Sequence, residues 1–108
     1  EKLGRAYETK LAKFVRCDTT DEKRVAELVR GHTHVIHSAA LTSPWARPED
    51  FKSANIDATV SLLKAASLNN VERFIQISTP SVYATDYPRF DIRESEPLPN
   101  VFLNDYQP

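Results

Sequence analysis

The sequence predicts an α/β domain built on a parallel sheet. Three short apolar segments, at residues 12–17, 33–37 and 73–77, alternate with two amphipathic helical patterns at about 21–30 and 49–68. Strands that alternate with helices in this way form parallel sheets with right-handed crossovers. The 108 residues make about one domain, and 41% hydrophobic with 27% charged residues is typical of a globular protein.

The first strand and helix are predicted from a short apolar run and the helix signals that follow it. Residues 12–17 end at the polar sequence Asp18-Thr19-Thr20-Asp21. Asp18 or Thr20 is expected to cap the helix, since both side chains accept hydrogen bonds from the amides of a first turn. Gly31 is a natural stop for this helix. Its apolar face consists of Val25, Leu28 and Val29.

The second and third strands end in small and hydroxyl-bearing residues. Residues 33–37 lead into Ser38-Ala39-Ala40, and residues 73–77, the most apolar strand, lead into Ser78 and Thr79. Open parallel sheets bind ligands in the crevice at the carboxyl ends of their strands. A hydroxyl fixed there can hydrogen-bond the oxygen of a substrate alcohol or carbonyl. Such residues also simply end strands and begin turns, so both interpretations stay open for Thr79.

The second helix and the final segment complete the predicted architecture. Over 49–68, alanines and leucines recur at intervals of three or four and form an apolar stripe. Between residues 84 and 101 the helix and strand patterns both stop, and prolines and acidic residues become frequent. Because loops of this kind often carry function, we expect residues 84–105 to form a substrate-side loop, with Trp45 and Arg47 also facing the substrate.

Charge, hydropathy and cysteine content argue against several classes of protein. The net charge is −1 with dispersed basic residues, which argues against nucleic acid as a partner. No apolar run approaches the roughly 18 to 20 residues that cross a bilayer, so no membrane partner is expected. The single cysteine, Cys17, forms no internal disulfide, and a cytoplasmic location is therefore expected.

Metal binding and serine hydrolysis are also disfavoured. On a strand, His32 and His34 would share one face while His37 would point to the other, and no nearby cysteine completes a metal site. A serine hydrolase of the α/β type would carry a G-x-S-x-G elbow, which the sequence does not contain. We therefore expect neither a metal centre nor a Ser-His-Asp triad.

Five features of the chain occur in a characteristic order. They are Asp18-Thr19, His37-Ser38-Ala39-Ala40, Asn55 within Ala54-Asn55-Ile56-Asp57-Ala58-Thr59, the strand end Ser78-Thr79-Pro80-Ser81-Val82-Tyr83, and Tyr106. In order and spacing the chain resembles the extended short-chain dehydrogenase/reductases, and among them the NAD-dependent epimerase/dehydratase branch. The resemblance implies a partial Rossmann-like doubly wound parallel sheet, a single partial dinucleotide-binding domain over residues 1–108, and NAD or NADP as cofactor.

The resemblance also implies roles for individual residues. Thr79 would orient the substrate hydroxyl, and Tyr106, the tyrosine of a Y-x-x-x-K motif, would be the general acid/base. Asp18 and Thr19 would flank the adenine, while Asn55 would contact the ribose region or hold the neighbouring strand. The segment that would run along the cofactor consists of Ser38, Ala39, Ala40, Leu41 and Thr42. The implied activity is proton transfer by Tyr106 and hydride transfer to nicotinamide from a small-molecule substrate of the sugar or nucleotide-sugar type.

The chain departs from the family pattern at both ends. Members begin with a strand, a G-x-x-G-x-x-G turn, a helix and a second strand, but this chain has only Gly4 and Gly31. The lysine expected four residues after Tyr106 would fall two positions beyond Pro108. We therefore expect a piece that lacks the first strand-helix-strand unit, is inactive alone, and is completed by the rest of a larger protein or in a homodimer. The alternative is a non-catalytic dinucleotide-sensing or interaction protein on the same scaffold.

Overall fold

A computed structural model describes residues 12–43 and 45–103 of the chain. Its elements, in chain order, are helix α1 (Glu22–Val29), strand β1 (His34–His37), helix α2 (Pro48–Phe51), a π-helical segment (Lys52–Asp57), helix α3 (Ala58–Leu68), strand β2 (Arg73–Gln76) and a 3-10 helix (Pro80–Tyr83). α2, the π segment and α3 follow one another without a break. None of the helices described is long and apolar enough to cross a membrane.

The two strands pair in parallel, as predicted for residues 33–37 and 73–77. The register sets His37 opposite Gln76, and the N–H of Ile77 donates to the carbonyl of His37 at 2.9 Å. The helical segments between the strands form the crossover that a parallel pair requires. Because the strands are parallel and adjacent, their carboxyl ends lie side by side, where Ser38 and Ser78 follow.

The prediction of a first strand at residues 12–17 is wrong, because the described structure has no strand there. Ala12 is an isolated bridge residue, and residues 13–17 form no strand. A strand needs a neighbour that exchanges backbone hydrogen bonds with it, and the described sheet consists of β1 and β2 alone. Cys17 instead attaches this segment by packing against the hydrophobic core.

Helix α1 begins and ends at residues with clear local causes. The side chain of Asp21 accepts a hydrogen bond from the N–H of Arg24 at 3.1 Å, so Asp21 caps the helix. The expectation of a cap at Asp18 or Thr20 is wrong, because the Asp18 carboxylate accepts from the N–H of Thr20 at 2.9 Å and from its hydroxyl at 2.7 Å. Gly31 has φ +79°, which glycine adopts without strain, and this confirms the predicted stop.

The hydrophobic core lies between the two longer helices and one face of the sheet. Val25 and Val29 of α1 pack with Ala65 of α3, and Val35 of β1 packs against this cluster. Ala66 of α3 is also buried, at 5% exposure. Val25 and Val29 of the predicted stripe on α1, and Ala65 of that on α3, therefore face the core, whereas Leu63 of α3 is exposed.

The opposite face of the sheet is apolar but exposed. Ile36 is 66% exposed and Ile77 is 53% exposed. Val35, which precedes Ile36 in β1, points to the other face, because successive side chains of a strand alternate. Doubly wound sheets carry helices on both faces, and α1 and α3 pack against the Val35 face. Residues 12–43 and 45–103 thus form one part of a Rossmann-type sheet.

The segment after the 3-10 helix, residues 84–103, contains neither helix nor strand, as the sequence predicts. The hydroxyl of Tyr83 donates to the carbonyl of Glu94 at 3.1 Å and joins the segment to the 3-10 helix. Arg89 and Glu96 form an ion pair within it, and Glu96 also accepts from the N–H of Arg93 at 3.2 Å. These contacts hold the loop beside the end of β2.

Candidate active site

A cavity of about 250 Å³ lies at the carboxyl ends of β1 and β2. Most of its lining residues are small or carry hydroxyl groups, and they include Ser38, Ala39, Ala40, Thr42, Asn55, Thr59, Ser78 and Thr79. Six of the ten site residues predicted from the sequence are in this set. They meet because one group follows β1, another follows β2, and Asn55 lies on the helical crossover between the strands.

The other four predicted residues lie elsewhere. Leu41 is part of the segment after β1 but does not line the cavity. Asp18 and Thr19 precede α1 and do not line it either. Tyr106 lies outside the described residues. The roles inferred for these four residues, and for the six that line the cavity, stay predictions.

The Asp18 carboxylate is held in place by two hydrogen bonds from Thr20, two residues later in the chain. The backbone N–H of Thr20, and then its hydroxyl, hold the pKa of Asp18 below its usual value. The carboxylate is therefore ionised at neutral pH, and it remains exposed. It has lone pairs left to accept a further hydrogen bond, as contact with an adenine amino group would require.

A second cavity, of about 470 Å³, adjoins the first. Ser78, Thr79 and Val82 line both. The segment 84–103 contributes further lining residues, and these are Ile92, Arg93 and Glu94. The sequence predicts the loop but not these three residues, since a short Ile-Arg-Glu run in a polar loop carries no pattern that distinguishes it.

Thr79 lies where the two cavities adjoin. Its backbone is extended, and its hydroxyl oxygen accepts a hydrogen bond from the N–H of Ser81 at 3.2 Å, so Thr79 caps the 3-10 helix. The hydroxyls of Thr79 and Ser81 are also hydrogen-bonded, at 3.1 Å. Thr79 therefore begins a turn and also lines both cavities. One lone pair of its oxygen is left for a ligand, and rotation of the hydroxyl would free its hydrogen as well.

Asn55 holds the chain that follows β1. Its Oδ1 accepts from the N–H of Leu41 at 2.7 Å, and its Nδ2 donates to the carbonyl of Leu41 at 3.1 Å. The side-chain amide thus bonds both polar groups of one residue's backbone. Of the two roles inferred for Asn55, this contact corresponds to holding the segment after the neighbouring strand, and contact with a ribose stays a prediction.

His37, the last residue of β1, is buried at 4% exposure. Its Nε2 lies 3.0 Å from Oγ1 of Thr59, and the Thr59 hydroxyl donates to the carbonyl of Asn55 at 2.6 Å. Burial lowers the pKa of the His37 imidazole, so the ring is neutral at neutral pH. The sequence pointed to His37 as a weak metal candidate and as part of the motif His37-Ser38-Ala39-Ala40, but not to this contact, because 22 residues separate the two partners.

The cavity suits part of a dinucleotide. The small side chains of Ser38, Ala39 and Ala40 let a flat ligand approach the backbone closely, and Thr42 and Ser78 offer hydroxyl groups beside them. Its volume of about 250 Å³ is below the roughly 300 to 1,000 Å³ of complete ligand pockets. Gly31 ends α1 at φ +79°, so it does not belong to a phosphate-binding turn. The described residues therefore fit one portion of the cofactor and not its pyrophosphate.

Two adjacent parallel strands, joined by a helical crossover and with a cavity at their carboxyl ends, are the arrangement expected of part of a Rossmann-type nucleotide-binding domain. The sequence model of the NAD dependent epimerase/dehydratase family matches residues 1–106. The chain belongs to this family, and the resemblance seen in the sequence is confirmed.

Similar proteins agree with this assignment. The chain is 32% identical over 108 residues to the uncharacterized protein YbjS of Escherichia coli (strain K12), with 98% of this chain and 32% of that protein covered. It is 37% identical over 76 residues to the dTDP-glucose 4,6-dehydratase of Streptomyces niveus, with 68% of this chain and 23% of the dehydratase covered. The chain thus spans a third or less of the length of these relatives.

A solved structure similar to the chain contains the predicted cofactor. It is the UDP-glucose-4-epimerase of Stenotrophomonas maltophila with bound NAD and formylated UDP-arabinopyranose. The match has a TM-score of 0.75 and 27% identity, and it covers 98% of this chain and 32% of the epimerase. Together with the family assignment, it supports the predicted dependence on NAD or NADP.

Proposed function

We propose that the intact protein containing this chain is an NAD(P)-dependent oxidoreductase or epimerase that acts on a hydroxyl group of a sugar or nucleotide sugar. One observation carries the proposal. The small residues after β1 and the hydroxyl-bearing end of β2 line a single cavity, and Thr79 also borders a second, larger one. The dehydratase and epimerase relatives support a sugar-nucleotide substrate.

In the proposed reaction, Thr79 and Tyr106 act on the same substrate hydroxyl. Bound NAD supplies the acceptor for the hydride that leaves the carbinol carbon. Tyr106 takes the hydroxyl proton as general base, so that the C–OH group becomes a carbonyl, while Thr79 hydrogen-bonds the oxygen and keeps it in place. A phenol has a pKa near 10, and a neighbouring cation would be needed to lower it. The family resemblance implies a candidate for that cation, the lysine of the Y-x-x-x-K motif, which would lie four residues after Tyr106.

A non-catalytic dinucleotide sensor on the same scaffold is the competing hypothesis. The hydrogen bonds between Thr79 and Ser81 favour it, because they give the threonine a structural purpose that needs no substrate. The two hypotheses differ in what loss of the hydroxyl does. A sensor needs Thr79 only for stability, whereas an enzyme needs it for turnover.

The test is a substitution of Thr79 in the full-length protein, assayed by reduction of NAD with candidate sugar substrates. Thr79→Val is expected to lower kcat about 100-fold, the lower end of the effect of a positioned proton-transfer group, while NAD still binds. Thr79→Ser keeps a hydroxyl and is expected to retain most of the activity. Thr33→Val is the matched control, because the Thr33 hydroxyl contacts Nδ1 of His34 at 3.0 Å, at the end of β1 opposite to the cavity. Undiminished turnover by Thr79→Val would contradict the proposed role.

We further propose that the chain is completed by more protein, either from the same polypeptide or from a second copy. In the described residues the buried hydrophobic side chains number six, and three of them are alanines. Ile36 and Ile77 expose an apolar sheet face that a stable domain would cover. The isolated chain is accordingly expected to be inactive, and measurable turnover by residues 1–108 alone would contradict this.

A further inference from the structure

We propose that His37 and Thr59 are positioning residues for the dinucleotide site, and that they act through Asn55 to hold the backbone of Leu41 beside the cavity. The inference rests on the proposed function, because it assigns the two residues a purpose in cofactor binding. It concerns residues that neither the motif spacing nor the family resemblance singled out for this role.

The contacts form a chain from the sheet to the segment after β1. His37 Nε2 lies 3.0 Å from Thr59 Oγ1, and Thr59 Oγ1 lies 2.6 Å from the carbonyl oxygen of Asn55. The side chain of Asn55 then makes two hydrogen bonds to Leu41, at 2.7 and 3.1 Å. Four hydrogen bonds thus connect β1, the helical crossover and the cavity wall.

The directions of these bonds follow from the donors available. Thr59 has one hydroxyl hydrogen, and the carbonyl of Asn55 can only accept, so that hydrogen points to Asn55. The Thr59 oxygen must then accept from His37, which therefore carries its proton on Nε2. The same argument sets the amide of Asn55, since the Leu41 N–H can only donate. Each donor in this series of hydrogen bonds therefore has an acceptor opposite it.

Asn55 lies in the π segment, whose backbone hydrogen bonds differ from those of an α-helix. Within it the N–H of Ala58 bonds the carbonyl of Ser53, five residues earlier, in place of the usual α-helical partner. Such wide turns are uncommon and often occur at functional sites. The hydroxyl of Thr59 bonds the carbonyl of Asn55, four residues earlier, and so fixes the backbone from which the Asn55 side chain reaches Leu41.

The position of the Leu41 backbone affects the shape of the cavity wall. Ala40 and Thr42, the residues on either side of Leu41, both line the cavity. A shift of the Leu41 backbone therefore changes the surface that a cofactor would contact. The buried position of His37, at 4% exposure, keeps water from replacing its bond to Thr59.

The test uses Thr59→Val in the full-length protein. Valine has nearly the shape of threonine but leaves the His37 N–H and the Asn55 carbonyl without their partner. We expect the dissociation constant for NAD, measured by calorimetry, to rise about tenfold, in line with the cost of an unsatisfied buried donor. In the protein without cofactor, the Leu41 amide should exchange its hydrogen with solvent about tenfold faster, the same free energy expressed as local opening.

Two variants serve as controls. Thr59→Ser keeps the hydroxyl and is expected to bind NAD as the wild type does. Thr33→Val removes a similar contact, 3.0 Å between Thr33 Oγ1 and His34 Nδ1, but at the exposed opposite end of β1, and it should change neither measurement. A general loss of stability would instead speed hydrogen exchange at amides throughout the domain and not at Leu41 in particular.

A second variant covers the case in which Thr59→Val does not fold. His37→Phe removes the donor and keeps a ring near Phe74, whose centroid lies 6.3 Å from that of His37. It should weaken NAD binding to the same degree, and in combination with Thr59→Val it should add little, because both break one chain of contacts. NAD binding and Leu41 exchange that stay at wild-type values in both variants would overturn the inference. A wild-type protein that does not bind NAD would instead refute the proposed function, and Leu41 exchange would still test the contact chain.

Discussion

Replacing Asn55 with aspartate tests the geometry of the site without removing the side chain. In Asn55→Asp the introduced carboxylate can still accept from the Leu41 N–H, as Oδ1 does at 2.7 Å. Its second oxygen would take the place of Nδ2, 3.1 Å from the Leu41 carbonyl, where two acceptors face each other without a hydrogen. The lost hydrogen bond and the unpaired carbonyl together should lower the free energy of unfolding by about 2 kcal/mol at neutral pH.

The effect should depend on pH in a direction that the geometry sets. A protonated carboxyl can donate to the Leu41 carbonyl, so the folded state favours protonation and raises the pKa of the introduced group above its unfolded value of about 3.9. Stability is therefore regained at low pH and lost as the pH rises through the higher folded pKa. The loss in the free energy of unfolding of Asn55→Asp relative to wild type should be small near about pH 4 and complete at about pH 7.

Urea denaturation of the full-length protein at several pH values measures this difference. Asn100→Asp is the control, because Asn100 is exposed and forms no side-chain hydrogen bond with the described residues. Subtracting its pH dependence removes the general effect of an added negative charge. A deficit for Asn55→Asp that is absent, or that is the same at both ends of the pH range, would refute the assigned hydrogen bonds.

Two further substitutions test the packing and the turn that support the site. Val29→Ala, at a core position with 6% exposure, should lower the free energy of unfolding by about 2 kcal/mol. Val101→Ala, at 76% exposure, should change it little. Equal effects of the two substitutions in thermal or urea unfolding would contradict the assigned core. Gly31→Ala should cost about 1 kcal/mol because φ is +79°, and not through a clash, since no atom lies within 4 Å of an added Cβ. Gly31→Asn should cost less in the same measurement, because asparagine tolerates this conformation better than alanine.

Features with a local cause were predictable from the sequence. The strands at 33–37 and 73–77 are short apolar runs, and the stop at Gly31 needs only a residue that tolerates positive φ. The small residues after β1 and the hydroxyls after β2 were expected to meet, because adjacent parallel strands end at the same edge of a sheet. Family motifs extended this reasoning to Asn55, which lies on the crossover.

Features that depend on distant partners were not predictable. Residues 12–17 have the composition of a strand, but the described sheet offers them no neighbour. Four side-chain acceptors, at residues 18–21, precede α1, and the choice of Asp21 over Asp18 depends on the turn in which Asp18 bonds Thr20. The contact between His37 and Thr59 joins residues far apart in sequence, and no periodicity records it.

The central claim is that the carboxyl ends of β1 and β2 form the cofactor and substrate site. A crystal structure of the full-length protein with NAD tests this most directly. NAD should lie along the segment Ser38 to Thr42, with its nicotinamide close to Thr79 and to the larger adjoining cavity. NAD bound away from both strand ends, or with its nicotinamide remote from Thr79, would contradict the account.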